Sequence, residues 1–92
     1  MSEEQMTPGT YLQQRIEQRS REIAKTRNDA GYVTMWPEAV KEVLVKFPSL
    51  SPEERASLRG DVEGQVKLMC IRTRRDPQMF ASALQEVAQI LG

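Results

Sequence analysis

The chain has 92 residues, room for a single domain, and a domain this size buries only somewhat over ~60% of the surface its unfolded form exposes. Thirteen basic and thirteen acidic side chains cancel to a net charge of zero, which speaks against a wholesale nucleic-acid mimic and against a strongly basic nucleic-acid coat. With no histidine and one cysteine, Ser/His and Cys/His catalytic pairs, His-containing metal sets and an internal disulfide are all excluded.

Residues 1–7 read as a flexible tail, with neither the basic start nor the apolar core of a secretory signal. No run approaches about 18 consecutive apolar residues, so no membrane span is expected. The lone Cys70 lies in Leu68-Met69-Cys70-Ile71, reads as a small buried hydrophobe, and suits a reducing cytoplasm.

No segment alternates as a strand does, and the prolines fall where helices could begin. Pro8, Pro52 and Pro77 each follow a good N-cap residue (Thr7, Ser51, Asp76), Pro37 is read as a fourth start, and Pro48 after Phe47 as a stop. The expectation is an all-α, compact four-helix bundle in one domain, 8–92, with helices over 8–28, 37–47, 52–75 and 77–91.

Helix one places Leu12, Ile16 and Ile23 in a narrow apolar stripe, with Gly31 read as its stop. Arg15, Arg19, Arg21 and Lys25 lie largely on the opposite arc, and with Arg27 they outnumber Glu17 and Glu22, making this the most basic continuous element. Residues 29–36 read as an aromatic connector holding Tyr32, Met35 and Trp36, either a lid on the bundle or an exposed binding anchor.

In helix two, Val40, Val43, Leu44 and Phe47 follow the i, i+3, i+4, i+7 pattern of an inward face. Its Glu38, Lys41, Glu42 and Lys46 read as solvated, Glu42 and Lys46 forming an i, i+4 pair worth ~0.3 kcal/mol.

Helix three opens on a capping box, Ser51-Pro52-Glu53-Glu54, and is long enough to serve as the spine, with Leu58, Val62, Val66 and Met69 as its core stripe. A second face carries Gly60, Gly64 and Ile71. Each glycine costs roughly 1 kcal/mol against alanine, so this face reads either as a close-approach groove for a neighbouring helix, chiefly one of this chain, or as a weakened stretch. Charge is ordered along the helix: Glu53, Glu54, Asp61 and Glu63 oppose Arg55 and Arg59 in the first half, while Lys67, Arg72, Arg74 and Arg75 stand unopposed in the second. The helix dipole favours that order.

Helix four has one charged residue, Glu86. Its apolar arc, including Met79, Phe80, Leu84, Val87 and Leu91, is wider than a one-sided surface helix needs, which points to a homodimer or a protein partner covering it.

Catalysis finds no convergent groups, and no cofactor or metal is expected. Residues 7–15 resemble the first helix of phage-repressor-type regulators, but no short second helix with a turn glycine follows. A helix three opening with Pro52-Glu53-Glu54 would also present carboxylates to phosphates. The function expected is therefore non-catalytic protein binding, as an adaptor, regulator or inhibitor of the kind found among phage and plasmid accessory proteins. Tyr32, Trp36, Gly60, Gly64, Ile71, Phe80, Leu84 and Leu91 are the candidate interface. The alternative is a nucleic-acid-binding regulator using Arg15, Arg19, Arg21 and Lys25 together with Arg72, Arg74 and Arg75.

Overall fold

Thr7 opens the first helix. Its hydroxyl accepts the backbone N–H of Thr10 at 3.1 Å, its carbonyl accepts that of Tyr11 at 3.0 Å, and Pro8 fills the first helical position, where a missing N–H costs nothing. The helix that follows, α1 (Pro8–Thr26), is the first of four in the computed structural model, which describes residues 6–26 and 30–92. The others are α2 (Ala30–Lys46), α3 (Pro52–Thr73) and α4 (Ala81–Leu91), the last preceded by a 3-10 turn over Pro77–Phe80. Among the described residues there is no strand, and the fold is an all-α bundle of four helices. No helix among them is long and apolar enough to cross a membrane. The expected end of helix one at 28, the start of the connector at 29 and most of the tail lie outside the described residues.

The largest departure from expectation is at Pro37. Residues 30–36 are not a connector: α2 begins at Ala30, and Pro37 lies inside it. Gly31, expected to stop helix one, sits instead in the first turn of α2, where an added Cβ would come within 3.0 Å of Ile23. The caps explain the difference. Ser51 and Asp76 each accept a backbone N–H from the turn they begin, as Thr7 does, whereas Pro37 follows Trp36, which has no acceptor to offer. A proline within a helix costs about 3 kcal/mol. The helix continues through it because the turns before it carry Met35 and Trp36 wholly into the core, each worth ~1.5–3 kcal/mol on burial.

α3 begins as expected. Ser51 Oγ accepts the N–H of Glu54 at 3.1 Å, and the Glu54 carboxylate reaches back to the N–H of Ser51 at 2.8 Å. It ends at Thr73, short of the expected 75, because Arg74 turns left-handed (φ 56°, ψ 39°) and the N–H groups of Arg74 and Arg75 both close on the Cys70 carbonyl. An L side chain costs roughly 1 kcal/mol or more in that conformation, where glycine is the usual occupant. Arg74→Gly is accordingly expected to raise stability by about 1 kcal/mol, a rise of ~4–8 °C in the thermal midpoint of a domain this size, checked by circular dichroism melts.

The central element is α2, not α3: it packs against both α1 and α4, while α3 closes against α4 and touches α1 more lightly. Val40 and Val43 are fully buried, Leu44 and Phe47 half-buried, and Phe47 meets the Tyr11 ring edge-on at 6.1 Å. Leu12 and Ile16 come from α1, and Leu58, Val62, Val66 and Cys70 from α3. Most of the wide apolar arc before and along α4 is met by this chain: Phe80, Ala83, Val87 and Leu91 are buried, Leu84, Ala88 and Ile90 half-buried, and Met79 is left 40% exposed. The width of the arc is thus accounted for by this chain except at Met79.

Candidate functional site

The residues expected at an interface divide into two groups. Trp36, Phe80 and Leu91 belong to the core of this chain, and none is more than 4% exposed. Leu84 is half-buried against that core. On α3, by contrast, Gly60 and Gly64 face open space, with no atom within 4 Å of a Cβ built on either, so no helix of this chain fills the expected groove. Ile71, on the same face, is 68% exposed.

The basic elements divide as well. Arg15 and Arg19 are not on a solvated arc; they flank the apolar stripe on the side of α2. Arg15 Nε donates to Glu42 at 2.5 Å, and Arg19 donates to Glu38 at 2.8 Å and to the other carboxylate oxygen of Glu42. Glu42 is thus a bridge between helices rather than the solvated partner of Lys46, whose ammonium lies over the Tyr11 ring. Burial pushes the Glu42 carboxyl upward, but the hydrogen bonds and charges of Arg15 and Arg19 outweigh it and hold it below the ordinary glutamate value. The same hydrogen bond raises the Arg15 guanidinium above its ordinary value. Arg21 and Lys25 remain exposed, as do Arg72 and Arg74 at the far end of α3.

Arg72 and Arg75 lie on the other flank of α1, beside a groove of about 550 Å³ bounded by α1, the first turns of α2 and the second half of α3. Its apolar lining comes from Ile16, Met35, Trp36 and Met69, and Leu68, 55% exposed, forms its α3 rim. At the basic end, the Arg75 guanidinium lies 4.8 Å above the centre of the Tyr32 ring. Gln13 and Glu17 make the polar wall on α1. The indole N–H of Trp36 has no acceptor among the described residues. Arg15 and Arg19 are not on the side of the second basic element: they are turned to α2, whereas Arg72 and Arg75 border the groove.

The groove brings together Tyr32, Trp36, Arg72 and Arg75 from the expected sites, and leaves Gly60, Gly64 and Ile71 on the neighbouring outer face of α3. Leu68 and Met35 are groove residues outside the expected set. Leu68 follows Gly64 by one helical turn, the one sequence signal that places it beside the open face. Among the described residues no group of three histidine, cysteine, aspartate or glutamate side chains could hold a metal ion. Comparison with protein-family profiles, with characterised proteins and with solved structures gave no match for this chain.

Proposed function

We propose that the chain is a cytoplasmic, non-catalytic protein-binding module that receives a segment of another protein in the groove between α1, α2 and α3. The observation that carries this reading is an apolar cleft that this chain leaves open, rimmed by an exposed leucine and ending in two arginines and a tyrosine. That combination suits an apolar anchor followed by an acidic residue, since aromatic and arginine side chains beside a desolvated pocket are where binding energy concentrates.

Nucleic-acid contact is the less favoured reading. Two of the four cations of the α1 face, Arg15 and Arg19, are engaged with Glu38 and Glu42 on the side of α2 and are not in the groove that Arg72 borders.

A tagged pull-down from the source lysate with and without nuclease, run in parallel with Gln13→Trp, tests the proposal. Gln13 is exposed, so the tryptophan narrows the groove without entering the core. The expected result is a stoichiometric protein that survives nuclease on the wild type and falls at least tenfold on the variant. Equal recovery on both, or recovery of nucleic acid alone, would overturn it.

A further inference from the structure

The outer face of α3 has the features of a self-complementary surface. Leu68 and Ile71 are the large apolar side chains exposed there, 55% and 68% respectively, and they share that side of the helix with the two glycines that face open space. From these residues, and from the order of charge along the helix, we infer that the protein forms a homodimer in which two copies of α3 pack antiparallel about a two-fold axis near residue 66.

The register follows from the sequence positions. In an antiparallel pair related by a two-fold axis, residues equally far on either side of the centre meet, and each contact occurs twice. A centre near 66 sets Leu68 over Gly64 of the second copy and Ile71 over Gly60, so each exposed apolar side chain enters a space with no side chain of its own. The same register brings Lys67 within one helical turn of Glu63 of the second copy, a carboxylate that Arg59 of its own helix also contacts at 3.3 Å, and Arg72 within one turn of Asp61. A parallel pair would instead align the acidic half with the acidic half. The acidic first half and basic second half of α3 therefore complement themselves only when reversed, which is the charge complementarity that selects a second copy over an unrelated helix. The glycines, which weaken an isolated helix, allow the two backbones to approach.

This face adjoins the groove and shares Leu68 and Arg72 with it, Leu68 forming the ridge between them. A contact limited to one helix pair belongs with small interfaces, below about 1,200 Å² of buried surface, so the dimer is expected to be weak and in exchange with monomer.

Sedimentation equilibrium over roughly 10 to 500 µM tests it, a range that brackets micromolar association. The mass should rise from that of one 10.5 kDa chain toward twice that value with concentration. Ile71→Glu should hold it at one chain, and so should Gly64→Leu. Because Gly64 meets no atom within 4 Å in the monomer, Gly64→Leu should also raise the thermal midpoint of the monomer, so loss of the dimer cannot be put down to misfolding. Lys67→Glu and Glu63→Lys should each weaken association at least tenfold, and the two together on one chain should restore it. A wild type of one-chain mass throughout, a dimer that survives Ile71→Glu or Gly64→Leu, or a double variant no better than the singles would overturn the inference. Gln13→Trp, which closes the groove, should leave the mass unchanged, so failure of the dimer and failure of the groove reading are told apart.

Discussion

Trp36→Ala is expected to cost about 3–5 kcal/mol of folding stability, the range for removing a fully buried aromatic side chain. Domains of this kind have ~5–15 kcal/mol in total, so the variant should sit close to its unfolding threshold. Trp36 is 1% exposed and lies directly before Pro37, whose missing N–H weakens α2 where the first two turns join the rest. Without the indole, those turns lose much of the burial that offsets the proline. Urea unfolding followed by circular dichroism should show a lower midpoint, and the native baseline should show less helix. A near-normal midpoint would mean that Trp36 is a surface anchor after all. Trp36→Phe, which keeps most of the apolar volume, should cost markedly less.

Glu42→Ala should be the next most damaging change, at about 2 kcal/mol. Arg15 and Arg19 both lose a charged acceptor, and hydrogen bonds to charged groups are worth ~1.5–3 kcal/mol before solvent screening reduces them. Glu42 also sets an acid dependence. Its carboxyl is held below the ordinary glutamate value in the folded protein, so the stabilisation is complete above about pH 5. It is lost as the pH falls through that lowered value, because the unfolded state then takes up the proton first. The wild type should therefore lose stability below about pH 4.5 more steeply than Glu42→Gln, measured as urea midpoints between pH 3 and 7. Arg15→Ala should cost much less in the Glu42→Ala background than in the wild type, the signature of a coupled pair. Parallel acid curves for wild type and Glu42→Gln would contradict the bridge.

Helix number, the capping box at Ser51 and the buried stripes of α1 and α3 were legible because each rests on interactions within a few residues. The beginning of α2 was not. Pro37 carries a local signal for a helix start, and it is overridden by the burial of Met35 and Trp36 against helices far away in sequence. The pairing of Arg15 and Arg19 with Glu42 escapes for the same reason: the i, i+4 partner Lys46 is visible in the sequence, but a carboxylate on the facing helix is not. The open face of α3 was half legible. Its glycines announce a need for close approach, but only the fold shows that no helix of this chain comes near them.

Cys70, 4% exposed and the only thiol in the protein, lies one turn before the left-handed residue that ends α3. A thiol reagent can reach it only when that end of the helix opens, because the reacting species is an exposed thiolate. The rate of modification relative to an unprotected thiol therefore reads the opening equilibrium at one defined point of the bundle. Set beside the global unfolding free energy, that rate separates fraying of the α3 end from cooperative unfolding of the whole domain.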